Sequence, residues 1–552
     1  MKKTLCLVFG FILILCSVLL CSCGQNGEDG IKNDGKFEYT LSVDETYYIL
    51  TSNKNKNAQN VVIESTHKGL PVKTIASKAF VGCMSIKTIT VPDSVSVIEK
   101  GAFAGCTGIE EISLPFVFGN KEGQSYFGYM FTFEQYPGNS YVPNTLKKIN
   151  ITGGDSITNG AFSNCDYVNE ISIANTVTSI ETSAFRNCQN LITINIPNSV
   201  KTIGNDAFEG CESLKNVHAQ DLVGWCQIGF SNREANPLKY GNLCLNGSEE
   251  VIKTLVIPTE VTSINSYAFF GCDSIETVVI PDSVTRIGRG VFGECTSIYK
   301  IELPFIGYNE MNGQNAILGS IFADENTNTS SYDYKYVPES LKTVVVTNST
   351  SIPALAFNEC PNIRSIKLPD NLKTIGNFAF AECVSLTGIT IPEGVITIGN
   401  NAFQNCTALN DVNIPNGVMT IDEETFKNCY NLSKVKLGSG LTQIGKSAFL
   451  KCSAIQEIIL PQGLVSIGSI AFGACSSLRK IVIPKNVNYI GSQAFAECSS
   501  LTEVTFETVI GWKLYDHPIS RTWIDIDSNL ASNPVVMAKH LRDDYSKKYW
   551  GR

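Results

Sequence analysis

Histidine is scarce in this chain of 552 residues, which has only His67, His218, His517 and His540. No two of these histidines stand at the spacing of metal ligands, and a structural zinc site needs four converging ligands. We also find no nucleophile with a histidine partner suited to hydrolytic catalysis. The sequence therefore predicts no metal ion, no cofactor and no catalytic residue, and it argues against an enzyme.

An excess of positive charge is also missing. The chain has 43 Lys and Arg residues against 52 Asp and Glu residues, which gives a formal net charge of -9 at pH 7. Its basic residues form no clustered face, whereas nucleic-acid binding depends on many Lys and Arg contacts to phosphates. We therefore expect no nucleic-acid partner.

A long apolar run is found at the N-terminus, where Lys2 and Lys3 precede the segment from Leu5 to Leu20. This segment is too short to span a membrane comfortably. A short apolar run behind basic residues is typical of an export signal. We therefore predict that the protein is exported from the cytoplasm.

The letters LCSC at 20–23 resemble the bacterial lipobox, in which cleavage precedes a cysteine that then carries lipid. On this basis residues 1–22 are a lipoprotein signal peptide, Cys23 is the lipidated mature N-terminus, and 23–36 is a flexible tether. The predicted location is the cell envelope outside the cytoplasm, lipid-anchored and surface-exposed. An ordinary secretory signal and an uncleaved anchor are the alternatives.

The pattern Phe-x-x-Cys dominates the rest of the chain. It occurs fourteen times, and within each run the phenylalanines are 23 residues apart. These phenylalanines are Phe80, Phe103, Phe162, Phe185, Phe208, Phe269, Phe292, Phe357, Phe380, Phe403, Phe426, Phe449, Phe472 and Phe495. A fixed period of this length indicates a repeat architecture.

One repeat reads SLTGITIPEGVITIGNNAFQNC, from 385 to 406. The alternation that ends at Ile391 predicts a short strand, and Pro392 and Gly394 end it and turn the chain. One repeat cannot bury its own apolar face, but stacked repeats bury it against each other. The predicted fold is a solenoid, mostly β with short irregular or 3-10 connections, and its phenylalanines form an internal ladder.

Three longer steps interrupt the period, and each contains a second strand pattern, beginning at Leu146, Ile252 and Leu341. We interpret them as three longer divergent repeats, so that the array over 71–506 has about 17 repeats. An open solenoid needs its end edges covered. We assign 37–70 to an N-terminal β cap and 507–552 to a C-terminal cap.

The complete pattern, L-x-x-I-x-I-P-x-x-V-x-x-I-G-x-x-A-F-x-x-C, resembles the BspA-like leucine-rich repeats of bacterial surface proteins over about 70–506. The resemblance implies an arc whose strands line the concave face. It also implies a surface-anchored binding protein that adheres to host or extracellular proteins. A polysaccharide-capturing or structural envelope protein is the alternative, and an enzyme with a site in the divergent repeats is a remote one.

Fourteen of the 20 cysteines occupy the ladder position, and Cys226 and Cys244 lie together in one irregular repeat. Export favours disulfides, but pairing successive repeats would destroy their equivalence. A buried thiol also serves as a small apolar side chain. We predict free, buried ladder cysteines, and we leave open whether Cys226 and Cys244 form a bridge.

The segment GLTQIGKS, from Gly440 to Ser447, matches the phosphate-binding pattern G-x-x-x-x-G-K-[ST]. That motif works by wrapping backbone amides around phosphates between a strand and a helix. Here both glycines are repeat positions, since GVITIGNN and GLVSIGSI occur at the same place in other repeats. We therefore interpret the match as part of the repeat.

Candidate ligand contacts remain on the surface. Outward strand positions and their neighbours provide Lys436, Ile459, Arg479 and Val482. The aromatic residues of the divergent repeats provide Tyr129, Tyr136, Tyr332 and Tyr334. Loops on a rigid scaffold often carry recognition, and tyrosine is favoured at interfaces. Packing of these rings over the solenoid is the alternative.

Overall fold

Most regular repeats contribute two strands to a solenoid of about 18 turns. The computed structural model describes residues 34–116, 126–134, 138–245, 247–307, 317–323, 336–518 and 523–552. The predicted signal peptide, Cys23 and most of the tether lie outside these residues. The predicted leucine-rich repeat solenoid, mostly β and with a period of 23 residues, is confirmed.

The longer strand of each repeat belongs to what we call the broad sheet. In the N-terminal half, eight strands pair in chain order: Asn60–Val62, Thr88–Thr90, Glu111–Leu114, Lys148–Ile151, Glu170–Ser172, Thr193–Ile196, Asn216–Ala219 and Asn242–Leu245. In the C-terminal half the strands are Thr254–Val256, Thr277–Val279, Lys300–Leu303, Thr343–Val346, Ser365–Lys367, Asp411–Asn413, Lys434–Lys436, Lys480–Ile483 and Glu503–Phe506. Pairing is parallel and places equivalent residues opposite each other, as for Ile171 and Ile194.

A second strand of only two residues, which the sequence analysis did not predict, forms what we call the narrow sheet. Its members are Val97–Ile98, Ser156–Ile157, Ser179–Ile180, Thr202–Ile203, Gly229–Phe230, Ser263–Ile264, Arg286–Ile287, Ser351–Ile352, Thr374–Ile375, Thr397–Ile398, Thr420–Ile421, Gln443–Ile444, Ser466–Ile467 and Tyr489–Ile490. In most of them an isoleucine at the second position is buried while the first residue faces out. Two residues are too few for a periodicity argument from sequence.

The core lies between the two sheets and contains the phenylalanine ladder. Six successive ring pairs from Phe357 to Phe495 stack with centroids 5.0 to 5.4 Å apart and nearly parallel planes. The backbone follows the same spacing, since the Phe380 N–H donates to the Ala402 carbonyl at 2.8 Å. Offset stacking of this kind is favourable beyond the apolar area it buries. The predicted ladder is therefore confirmed.

Two residues in every regular repeat have left-handed backbone conformation. They stand two positions before and two positions after the ladder phenylalanine, with φ from 53° to 78° in all fourteen repeats. Glycine and asparagine occupy some of these positions, but Ile470 has φ 59°. Left-handed backbone crowds the Cβ atom, and it is rare for β-branched residues. The repeat geometry therefore imposes this corner even on residues that disfavour it.

Seven of the fourteen regular repeats have a glycine four residues before the ladder phenylalanine, where successive repeats approach each other closely. A Cβ atom built on Gly491 would lie 2.3 Å from the Ser469 nitrogen, and one on Gly376 would lie 2.4 Å from the Ala354 nitrogen. Real side chains do not tolerate such contacts with backbone. At these two positions glycine therefore permits a close backbone approach that a side chain would obstruct.

The divergent repeats supply the three predicted broad-sheet strands, Lys148–Ile151, Thr254–Val256 and Thr343–Val346. They also continue the ladder with other rings. In the first, Phe131 lies 6.3 Å from Phe103, measured between ring centroids, and Phe127 lies 5.1 Å from Phe162. The 3-10 helices of these irregular segments are Phe127–Phe131, Asn139–Tyr141, Arg233–Ala235, Pro237–Lys239 and Leu318–Ile321.

The second divergent repeat has more structure than we expected. It adds the strand Asn242–Leu245, which ends the N-terminal part of the broad sheet, while Thr254–Val256 begins a separate sheet. It also contains the helix Leu222–Cys226, from which Trp225 donates its indole N–H to the Ala268 carbonyl at 2.7 Å. The buried Trp225 thus joins the two halves of the core.

Further strands flank the stacked repeats at both ends. At the N-terminus the strands are Phe37–Leu41, Tyr48–Asn53, Thr66–His67 and Leu70–Ile75. At the C-terminus they are Lys513–Tyr515, Trp523–Asp525 and Tyr549–Gly551, with helices Ser528–Ala531 and Pro534–Lys539 and a π-helical turn His540–Asp544. Within the segment 37–70 that we assigned to the N-terminal cap, the strand Asn60–Val62 pairs with Thr88–Thr90 of the broad sheet.

Replacing Ile470 by asparagine tests the left-handed corner. Asparagine adopts this conformation readily and stands at the equivalent position 401, where φ is 57°. We expect Ile470→Asn to raise the free energy of unfolding by about 1 kcal/mol, measured by urea denaturation.

The matched control is Val482→Asn, at a half-exposed position in the regular strand Lys480–Ile483. Asparagine is disfavoured in strands, so this variant should be less stable than the parent. If both variants lowered the free energy of unfolding equally, the left-handed conformation at Ile470 would not destabilise the fold.

Candidate ligand-binding surface

Three of the predicted contact residues, Lys436, Ile459 and Val482, occupy the same outward position in three successive repeats, and Arg479 directly precedes the strand that contains Val482. Lys436, Ile459, Arg479 and Val482 belong to three successive repeats, and all four are exposed. Ile459 is 76% exposed and Val482 is 48% exposed. Within the described part of the chain, neither Lys436 nor Arg479 forms an ion pair or a side-chain hydrogen bond. The structure therefore presents an exposed apolar patch next to two unpaired cations.

Of the four predicted tyrosine contacts, only Tyr129 is among the described residues. Tyr129 lies half-buried in the 3-10 helix Phe127–Phe131 of the first divergent repeat and packs against the core. It is not part of the Lys436 surface. Tyr136, Tyr332 and Tyr334 lie outside the described residues. Phe127 and Phe131 of the same helix continue the phenylalanine ladder. Core packing therefore explains the aromatic residues in the described part of this segment.

A groove that the sequence analysis missed lies beside the exposed patch. It has a volume of about 1100 Å³ and runs between the strand Lys434–Lys436 and the segment 457–463. Apolar side chains line it, including Val435, Leu437 and Ile459. The signal available in the sequence is Gly438, which stands where the neighbouring repeats have proline. A second, smaller groove of about 490 Å³ lies three repeats earlier, around Gly388.

Charged side chains stand on both lips of the larger groove. Lys434 and Lys436 project from one lip, and Glu457 projects from the other. Both lysines and Glu457 are exposed, and no ion pair joins any of them to a residue in the described ranges. These charges are therefore free to interact with a ligand.

The segment that matches a phosphate-binding loop uses its amides within the solenoid. The Gly445 N–H donates to the Ile421 carbonyl at 2.7 Å, and the Ser447 N–H donates to the Ser469 carbonyl at 2.9 Å. Lys446 pairs with Glu423 at 2.7 Å. The groups that would hold a phosphate thus bond to adjacent repeats, which agrees with our interpretation of the match as part of the repeat.

The ladder cysteines are buried free thiols, and so are Cys226 and Cys244. They also have a role that we did not foresee. Ten of them place Sγ at 3.1 to 3.2 Å from the carbonyl oxygen of the ladder phenylalanine in the preceding repeat. The pair Cys406 and Phe380 is an example. Cysteine therefore supplies a weak S–H donor to a buried carbonyl, which alanine could not do.

Burial keeps these thiols protonated. Burial raises the pKa of the Cys106 thiol from 9.0 to about 12, and the neighbouring Cys83 adds to the effect. Burial also raises the pKa of Cys406 well above its ordinary value, with smaller contributions from Cys429 and Cys383. Since the thiolate is the nucleophile and the metal ligand, these cysteines are chemically inert in the folded protein.

The described residues contain no group of three or more His, Cys, Asp or Glu side chains that could hold a metal ion. Over the same ranges, no helix is both long enough and apolar enough to cross a membrane.

A family model described as "BspA type Leucine rich repeat region (6 copies)" matches residues 53–152, 134–227, 241–320, 327–455 and 420–518. The chain therefore belongs to the BspA-type leucine-rich repeat family, whose repeats generally serve as protein-interaction scaffolds. No curated protein matches the chain.

Solved structures of bacterial leucine-rich repeat proteins are similar to this chain. One from Bacteroides ovatus has 21% identity, covers 87% of this chain and 94% of its own, and has a TM-score of 0.32. One from Eubacterium ventriosum has 25% identity, covers 65% and 90%, and has a TM-score of 0.31. A leucine-rich cell surface protein from Faecalibacterium prausnitzii has 21% identity, covers 87% and 96%, and has a TM-score of 0.22. Family membership rests on the repeat match and not on these structures.

The raised cysteine pKa values predict a loss of stability at alkaline pH. The folded state keeps its thiol protons after the unfolded chain has lost them. The contribution of a buried, protonated thiol to the stability of the fold is therefore complete below pH 9.0 and is lost as the pH rises through about 12. Between these pH values, each buried thiol with a pKa raised in this way should contribute a slope of about 1.4 kcal/mol per pH unit to the free energy of unfolding.

Urea denaturation across this pH range measures the slope. Cys406→Ala should reduce the slope by the contribution of one thiol. Thr407→Ala, which also introduces alanine but at the next position, should leave the slope unchanged. A free energy of unfolding that does not fall above pH 9.0 would contradict the protonated, buried state of the ladder.

Proposed function

We propose that the protein acts outside the cytoplasm as a lipid-anchored adhesion protein that binds an extracellular or host protein on its broad sheet. The observation that carries this proposal is the exposed patch of Ile459 and Val482 beside the unpaired cations Lys436 and Arg479. Exposed apolar side chains bordered by charge are typical of protein interaction sites. The repeat family, with its scaffolding role, supports the same reading.

The solenoid suits this role because it is rigid where the patch lies. Ladder stacking is continuous from Phe357 to Phe495, and the patch residues lie on the broad-sheet side of that same region. A rigid surface loses little conformational entropy when it binds. Affinity would then come from complementarity over several repeats and not from the closure of a pocket.

Anchoring is supported by the sequence at 20–23. A lipid on Cys23 would hold the solenoid at the outer face of a membrane, with 24–36 as a spacer. The basic residues Lys2 and Lys3 would be lost with the signal peptide, which leaves a more acidic mature chain.

Replacing Cys23 tests the anchor. We expect Cys23→Ala to move the protein from the membrane fraction to the soluble fraction of the producing cell, measured by immunoblot after fractionation. Cys21→Ala is the matched control, because it removes a nearby thiol and leaves the proposed lipidation site intact. Unchanged membrane retention of Cys23→Ala would refute lipidation at this residue.

A binding screen tests the ligand class. The mature protein is presented to extracellular matrix proteins and to polysaccharides, and saturable binding is measured by biolayer interferometry. We expect binding to a protein, and we expect the double change Ile459→Asp and Val482→Asp to weaken it by about tenfold or more.

Val256→Asp is the control for the screen, because Val256 is 54% exposed at the end of another broad-sheet strand. It should leave binding unchanged. Saturable binding to polysaccharides alone would favour the glycan-capturing alternative. Turnover of a substrate without saturable binding to either class would overturn the adhesion proposal.

A further inference from the structure

The broad sheet opens between two successive repeats, and the larger groove lies in this opening. The strand Lys434–Lys436 pairs with Asp411–Asn413 before it, and the Ile414 N–H donates to the Lys436 carbonyl at 2.8 Å. Pairing resumes only after the opening, where Glu457 bridges to Lys480. Residues 433–437 and 456–460 all lie in the described ranges, and no backbone hydrogen bond joins these two segments.

Gly438 lies two residues after the end of the strand that borders the opening. A Cβ atom at this position would lie 2.3 Å from the Pro415 oxygen, and one at Gly440 would lie 2.2 Å from the Asn416 oxygen. Glycine thus lets this repeat move close to the preceding one, where a side chain would prevent it. The neighbouring repeats have Pro415 and Pro461 at the position of Gly438. The approach on one side leaves a gap on the other.

The gap exposes edges of β structure. In a parallel ladder of the register seen elsewhere, the N–H groups of Val435 and Leu437 would bond to the next repeat, and those of Glu457 and Ile459 would bond back. Across this opening they make no such bonds. An exposed edge of this kind accepts an extended peptide, whose backbone supplies the missing hydrogen bonds.

The side chains in the gap define which peptide fits. Val435 and Leu437 are only half-buried, whereas the equivalent Val412 and Ile414 of the preceding repeat are 3% and 1% exposed. An added strand would cover them with its own inward-facing apolar residues. Alternation along a strand then places every second residue outward, beside Lys434 and Lys436.

Charge favours an acidic residue at one outward position. Lys436 has no carboxylate partner in the described part of the chain, and Ile459 stands at the equivalent place on the opposite lip. The position beside Lys434 faces Glu457 across the gap, so a neutral polar residue suits it. Opposite charges across neighbouring strands are stabilising and like charges are not.

We propose that the opening between Lys434–Lys436 and 457–459 binds an extended peptide segment of the partner protein by strand addition. The peptide places apolar side chains over Val435 and Leu437 and a carboxylate beside Lys436. This inference rests on the proposed function in taking the ligand to be a protein. It adds the site, the backbone mode of recognition and the alternating apolar and acidic sequence of the bound segment.

The test uses the full chain in mild detergent and a fluorescein-labelled octapeptide of sequence TVEITVEI. Fluorescence anisotropy should show saturable binding, and the same peptide with lysine in place of glutamate should bind about tenfold more weakly. Lys436→Glu should reverse this preference. Thr505→Glu is the control, because Thr505 has the same strand position and lines neither groove.

Gly438→Pro restores the residue found in neighbouring repeats and should close the opening. We expect it to abolish binding of the peptide without loss of thermal stability. In the parent protein, the amides of Val435 and Leu437 should exchange hydrogen faster than those of Val412 and Ile414, and the peptide should slow them.

The strand-addition proposal would be overturned if the octapeptide showed no saturable binding, or if Gly438→Pro left its binding unchanged. Slow exchange of the Val435 and Leu437 amides in the free protein would overturn it as well. If a protein from the binding screen is still held by Gly438→Pro, the adhesion proposal stands and only the groove proposal fails. If the octapeptide binds but no protein in that screen does, the groove proposal stands and the adhesion proposal fails.

Discussion

The structure depends on the parallel stacking of near-identical repeats in exact register. One repeat has strands of two to four residues and cannot satisfy its own backbone groups. Its hydrogen-bonding partners are the equivalent atoms one repeat away, at both sheets and at the ladder phenylalanine. The ring stack, the Phe N–H to alanine carbonyl bond and the Cys S–H to phenylalanine carbonyl contact all repeat at this spacing. Any residue that alters the spacing therefore affects every column at once.

This constraint explains where variation is tolerated. Inward positions are uniform because each one packs against its own copies, as the ladder phenylalanines show. Outward positions are unconstrained by stacking, and there the repeats differ in charge and polarity. The divergent repeats preserve the spacing by other means, such as Phe127 and Phe131 in the ladder and Trp225 across the irregular second unit. Recognition is thus free to evolve on a scaffold whose interior is fixed.

Sequence reasoning predicted the elements that depend on local pattern. It predicted the period, the broad-sheet strands including those beginning near Leu146 and Leu341, and the buried ladder. It missed the two-residue strands, the left-handed corners and the strand Asn242–Leu245. The corners are occupied by residues as different as Ile470 and Gly101, so no residue type marks them. Lys436, Ile459 and Val482 stand side by side because they share one outward position in successive repeats.

The sequence by itself determined that this protein is a leucine-rich repeat solenoid with one continuous type of core, because fourteen copies of one pattern allow only stacking. It also determined that the cysteines belong to that core. Only the tertiary structure decided where the broad sheet opens. That opening depends on the distance between residues of adjacent repeats, such as Gly438 and Pro415, and not on the pattern within either repeat. Such distances exist only in the folded array.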